Sequence, residues 1–232
     1  SPVILIYSEF LNSIFFEIEL TFTFIHAFIN SILISLSTGV VVSIFGLLIS
    51  YLLVINHKNF LLQQLLFLTS SMILIISPII FSLGYFIFFQ PIIHYSYLKF
   101  FLVILINVIF LLPFAILIFF NNLKNLYLNF NDFRKTYRIE LFGYIKIIFP
   151  LLKNNFLYVF SFSTVITLGD FTIISFFRSE NFETLPSYLF KLISTYQFNE
   201  ASFVAGTILF ISMVIYFIID NFNYQGRPDI TT

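Results

Sequence analysis

Long runs without charge alternate with short polar breaks along this chain, and the runs have the length of membrane spans. Five stand out: 27–55, closed by His57 and Lys58; 61–89, containing Pro78; 100–120, opening after Lys99 and containing Pro113; 155–177, containing Asp170; and 201–219, ended by Asp220. A helix needs about 20 mostly apolar residues to cross the hydrocarbon layer. These runs are too long for core strands, and the alternating segments of about 10 residues that mark membrane barrels are missing. The pattern predicts an all-α membrane protein, a polytopic bundle of about five transmembrane helices within 27–220.

Residues 1–26 differ. Their apolar runs are broken by Glu9, Glu17 and Glu19, so they are expected to form an extracytoplasmic or interfacial lead-in rather than a further full span. Residues 221–232 form a polar tail. Basic residues orient the bundle, because Lys and Arg concentrate in cytoplasmic connections. The connection 121–154 carries Lys124, Arg134, Lys135, Arg138, Lys146 and Lys153, whereas 178–200 carries Arg178 and Lys191 against Glu180, Glu183 and Glu200. The first connection is therefore expected inside. That puts the N-terminus outside, Lys58 inside, His94 outside and the tail with Arg227 inside.

Composition sharpens the class. Hydrophobic residues make up 59% of the 232 and charged ones 9%, against roughly 25% charged in an average soluble domain. The net charge is zero and there is no cysteine. Composition gives no sign of nucleic-acid binding, and disulfides, thiolate catalysis and Cys-held metals are excluded. The 36 Phe and the absence of Trp fit an AT-rich coding bias. The first residue is Ser, so the N-terminus is expected to be processed or the chain to be a piece of something longer. No basic segment with a cleavage site precedes the first span.

Connections between packed helices usually run 2–8 residues, and long ones tend to be functional. The long connection 121–154 reads as structured. Asn131 or Asp132 is placed to cap a helix beginning at Phe133. Phe133, Tyr137, Leu141, Tyr144 and Ile145 recur at helical steps, with Arg134, Lys135 and Arg138 largely off that face. Pro150 marks the entry to the fourth span. Two readings fit: a helix lying on lipid headgroups, or one presented to a cytoplasmic partner through Phe133, Arg134, Tyr137, Arg138, Leu141 and Phe142.

Asp170 is the one acid inside a predicted span. Such a residue is costly in lipid and faces the bundle interior or a wet cavity. It either lines a path, with Thr167 and Thr172 beside it, or bonds a neighbouring helix or caps a break at Gly169. Beyond it, Thr184 is placed to cap a short helix with Pro186 in its first turn and Leu185, Tyr188, Leu189 and Leu192 on its apolar side. Pro78 and Pro113 are expected to kink their spans. His26, His57 and His94 share no ligand spacing. No phosphate-binding Gly-x-x-x-x-Gly-Lys-Ser/Thr loop is present, no cofactor is implied, and the chain does not read as an enzyme.

Two strings carry a resemblance. One is Val165 to Phe177, with Leu168-Gly-Asp-Phe171 at its centre. The other is Asn181-Phe-Glu-Thr-Leu-Pro-Ser-Tyr-Leu189, followed by Ser194-Thr-Tyr196 and Ala201-Ser-Phe-Val-Ala-Gly206. They resemble the end of the permease subunits of bacterial thiamine ABC importers. Phe28-Ile-Asn-Ser-Ile-Leu-Ile-Ser-Leu36 is similar to the opening of the first helix of such permease domains. The resemblance covers the chain from about residue 28 and is specific from Leu168 to Gly206. The wider family carries a cytoplasmic signature of Glu-Ala-Ala, a Gly and a closing Leu-Pro. Aligned on Pro150, its Gly falls on Tyr137 and its Glu-Ala-Ala near Asn131 to Phe133, so only length, apolar spacing and Pro150 are kept.

The resemblance implies the C-terminal half of a two-half permease in the bacterial inner membrane. It implies import of thiamine or its phosphates, with ferric iron or sulfate permeases and a transport-free scaffold as alternatives. The implied partners are cytoplasmic ATPase subunits, a periplasmic binding protein and the other permease half, with the bilayer around them. It also implies coupling to the ATPase through 121–154.

Overall fold

The computed structural model describes the backbone of residues 2–55, 64, 76–91, 96–137, 141–179 and 182–224. It describes the side chains of 21–54, 64, 76–91, 97–126, 152–179, 182–219 and 221. The elements are α1 (Pro2–Ile55), α2 (Pro78–Phe89), α3 (Ser96–Tyr137), α4 (Leu141–Gly169), α5 (Ile174–Phe177), α6 (Leu185–Ser194) and α7 (Phe198–Tyr224). Among the described residues no strand forms; Ser179 and Phe182 make a single isolated bridge.

Among the described residues, three helical stretches are long and apolar enough to cross a membrane: Thr21–Val54, Tyr97–Leu126 and Phe198–Ile219. They coincide with the first, third and fifth predicted runs. Most of the second run before Ile76 lies outside the described residues, and its visible end is the shorter apolar helix α2. The protein is thus an all-α polytopic membrane protein.

α1 shows why lipid is its surrounding. Its inward face carries Ser31, Ser35, Thr38, Val42, Ser43 and Ser50, all buried, while Ile25, Ile29, Leu33, Leu36, Val40, Ile44, Leu48 and Leu52 are exposed. Large apolar side chains outward and small or hydroxylated ones inward reverse the pattern of a water-soluble helix. In lipid, burial of apolar surface gives no drive to associate, so close backbone approach does the holding. Two glycines provide it. A Cβ on Gly39 would fall into Thr164 Oγ1 and the Phe160 ring, and one on Gly46 would lie 2.6 Å from Ala115 Cβ. Ser50 Oγ donates to Ile116 O at 3.2 Å across the α1–α3 contact.

Three apolar clusters follow from this central helix. Val42, Ala115, Phe119 and Val159 join α1, α3 and α4. Ile34, Val103, Ile106, Ile174 and Phe177 join α1, α3 and α5. Ala27, Leu185, Tyr188, Leu192 and Val204 join α1, α6 and α7. Phe119 meets Phe156 and Phe114 meets Phe162, with ring centres 6.5 and 6.0 Å apart. These pairs run in opposite directions along the two helices, so α3 and α4 form an antiparallel hairpin.

Several expectations change. The backbone of the 1–26 lead-in is helical from Pro2 and continuous with the first span, because its three Glu interrupt hydropathy but not helix geometry. No helix starts at Phe133: α3 passes through Asn131 and Asp132 without a stop, as no Gly or Pro lies between 114 and 137. α4 likewise runs through Pro150 from Leu141. Pro78 does not kink a helix but opens α2. The preceding Ser77 is extended, and Phe81 N–H donates to Ser77 O at 3.1 Å. Proline suits this position, where its missing N–H has no partner to lose. The fourth run, 155–177, is not one span, since α4 ends at Gly169 and the chain turns at Asp170.

Candidate functional site

The break after α4 is built by one side chain. Asp170 N–H donates to Thr167 O at 3.3 Å, which closes the last turn. Its carboxylate then accepts from the next free amides, Oδ1 from Thr172 N–H at 2.9 Å and Oδ2 from Ile173 N–H at 3.4 Å. Asp offers the chain this local alternative to the helix ladder. The turn drops Ile173, Ile174 and Phe177 into the core beside α3. The capping interpretation of Asp170 is therefore realised, yet the carboxylate keeps capacity for further hydrogen bonds, because an ionised carboxylate has about four acceptor positions.

A cavity of about 570 Å³ lies against this break, where α4 meets α2 and α3. Asp170, Gly169, Asn107, Phe110, Phe114 and Pro78 are among its walls. Asn107 Nδ2 donates one N–H to Val103 O at 3.0 Å, which leaves its second N–H and its carbonyl oxygen as remaining capacity. Phe110 meets Phe81 edge-on at 5.2 Å, so its ring is held by α2. Of the three sequence-predicted path residues, only Asp170 lines the cavity. Thr172 serves the turn with its carbonyl, which accepts Ser175 Oγ at 2.7 Å, and with its side chain, which hydrogen-bonds the Asp170 carboxylate. Thr167 is buried one turn back, and its hydroxyl has no hydrogen-bond partner among the described residues.

Sequence reasoning passed over Asn107, Phe110 and Phe114. A signal for the first was present, since Asn107 is the one side chain able to form strong hydrogen bonds in 100–120. The two phenylalanines were hidden among 36.

The predicted coupling residues with a described backbone sit at the far end of the hairpin. Phe133, Arg134 and Tyr137 belong to the backbone of α3, and Leu141 and Phe142 open α4. Arg138 lies outside the described residues. From Leu141 the 29 residues of α4 reach to the Asp170 turn, about 43 Å at 1.5 Å per residue. One rod joins the two ends.

α6 forms as its sequence demands, with Thr184 at the N-cap position, Pro186 in the first turn, and Leu185, Tyr188 and Leu192 buried. Thr184 N–H donates to Ser187 Oγ at 2.8 Å, and Ser187 Oγ donates back to Thr184 O at 2.9 Å. Glu183 carboxylate lies 3.7 Å from Arg178 and 3.5 Å from Lys191. Burial pushes the Tyr188 phenol above its ordinary value, so the hydroxyl bonded to Thr23 stays neutral.

A bundle of apolar helices with a polar break and a cavity at that break defines an all-α membrane-embedded protein. Comparison with known proteins gives the resemblance a particular object: the thiamine transport system permease protein ThiP. The chain is 23% identical to that of Escherichia coli K12 over 165 residues, 71% of this chain and 31% of the relative. It is 24% identical to that of Salmonella typhimurium over 158 residues, 68% and 30%. With that of Haemophilus influenzae it shares 25% over 179 residues, 73% and 31%. The chain thus spans about a third of the length of the curated relatives it matches. No family model matches.

Proposed function

We propose that this chain is part of the permease of a bacterial inner-membrane ABC importer, and that its solute is thiamine. The carrying observation is the similarity to three thiamine permeases over about 70% of the chain. The geometry supports it in two ways. A carboxylate at a helix break beside a cavity suits thiamine, whose thiazolium ring is permanently cationic. A hairpin with a basic, aromatic end suits a contact with a separate ATPase, and Phe133, Arg134, Tyr137, Arg138, Leu141 and Phe142 are the contacts in this reading.

In this mechanism a periplasmic binding protein delivers the solute and the other permease half completes the path. ATP is bound and hydrolysed on the partner subunits. Closure of those subunits tilts α4 as a rigid body, a two-state shift of packed helices. The tilt reaches Asp170, Thr167 and Thr172 at the other end of the rod and changes access to the cavity.

Uptake of tritiated thiamine tests the function. Cells lacking their own thiamine importer, given the full-length protein with its ATPase and binding protein, should accumulate thiamine at least tenfold over cells without it. Uptake at background would sink the thiamine reading. Arg138→Glu together with Leu141→Glu should abolish co-purification of the ATPase, and undiminished association would remove the coupling contact.

A further inference from the structure

The cavity between α2, α3 and α4 has a chemistry of its own. Asp170 brings a carboxylate and Asn107 an acceptor oxygen, while Phe110 and Phe114 bring aromatic rings. The last turn of α4 adds Val165, Ile166 and Gly169 to the wall, and the C-terminal end of a helix carries partial negative charge. No Lys or Arg is among the described lining residues. The carboxylate, the Asn107 carbonyl oxygen and the helix end on this wall attract a cation, and no charged side chain among the described lining residues would pair with an anion.

The same inventory discriminates between cations. A bare divalent or trivalent metal needs several hard oxygen ligands, and one carboxylate with one amide does not supply them. An organic cation needs a counter-charge and an aromatic face, since ring quadrupoles attract cations that hydrate weakly. Both rings are fixed by neighbouring aromatics, Phe110 by Phe81 at 5.2 Å and Phe114 by Phe162 at 6.0 Å. The volume, about 570 Å³, falls inside the range of about 300–1,000 Å³ for small-molecule sites.

We propose that this cavity binds a flat organic cation, with Asp170 as counter-ion, Phe110 and Phe114 as the aromatic walls and Asn107 as the hydrogen-bond acceptor that orients it. The proposal rests on the permease reading only for its place on a transport path. It gives Asn107, Phe110 and Phe114 a role in selecting charge and shape.

Equilibrium binding to the full-length protein in nanodiscs tests it, with N-methylthiazolium and uncharged 4-methylthiazole as probes. The wild type should prefer the cation by at least tenfold. Asp170→Asn keeps a side-chain oxygen for Thr172 N–H, so the turn survives, and it should erase the preference, whereas Asp170→Glu should retain most of it. Phe110→Leu and Phe114→Leu should each weaken the cation several-fold and leave the neutral ring unchanged. A wild type without preference, or an Asp170→Asn protein that keeps it, overturns the site. If the cation preference is found but thiamine is not transported, the thiamine reading fails and the site stands. If thiamine is transported and the preference is absent, the site fails and the transport reading stands.

Discussion

Ser31 Oγ accepts the N–H of Leu185 at 2.7 Å, across 154 positions of sequence. One residue earlier, Asn30 Nδ2 donates to Glu183 O at 3.0 Å. Together these bonds tie the middle of α1 to the first turn of α6. The first amides of any helix lack partners within it, and here a side chain from another helix provides one. Ser31 and Leu185 are both buried, so water cannot substitute. Ser31→Ala should cost about 1–3 kcal/mol, the penalty for an unsatisfied buried amide. Ser31→Thr, which keeps the hydroxyl, should cost less. Unfolding of the purified protein in mixed micelles measures both, and an Ala variant as stable as wild type would show the bond to be idle.

Gly39 faces a different test. A methyl group there collides with Thr164 Oγ1 and Phe160, and overpacking of a tight contact costs about 1–3 kcal/mol. Gly39→Ala should therefore destabilise the α1–α4 contact. Thr164→Ala in the same chain should recover part of the loss, because the nearest obstacle is then gone. Gly206→Ala is the control: nothing lies within 4 Å of its added carbon, and Ala suits a helix interior better by about 1 kcal/mol. Equal effects at 39 and 206 would contradict the packing.

The distribution of such residues explains what could be read before the structure was known. The first, third and fifth spans were legible because their charge-free runs end at charged residues. The α6 start was legible because Thr184 and Pro186 specify a helix N-terminus locally. The end of α4 was not, since Phe171, Ile173, Ile174, Phe176 and Phe177 keep the hydropathy high past the turn. Only the two amide bonds to the Asp170 carboxylate reveal the break. The start at Pro78 was hidden similarly, inside one apolar run. The site was half legible: Asp170 announced itself as a charge in a greasy segment, whereas Phe110 and Phe114 become wall residues only through the packing of α2 and α4 around α3.

Glu183 holds two cations, and its side chain is 10% exposed while Arg178 is 34% and Lys191 43%. Either cation alone is worth about 0–1 kcal/mol at such exposure. Arg178→Ala and Lys191→Ala should each be nearly silent. The double variant leaves a nearly buried carboxylate without a partner, and its loss should exceed the sum of the single losses, as residues sharing one partner are not additive. A double-mutant cycle on unfolding free energy decides it. An additive result would mean that solvent already screens Glu183.

The topology admits a direct measurement because none of the 232 residues is cysteine. A single cysteine introduced here reports its own position. In the proposed orientation, which follows the bias of Lys and Arg to cytoplasmic connections, Lys135→Cys should react with a membrane-impermeant maleimide only after cells are opened. Gln197→Cys, in the turn after α6, should react in intact cells, since the same orientation puts residues 178–200 outside. The two sites are then labelled from opposite faces. Lys135→Cys labelled in intact cells would put this end of the α3–α4 hairpin on the wrong side for any contact with a cytoplasmic ATPase, whatever the similarity to thiamine permeases.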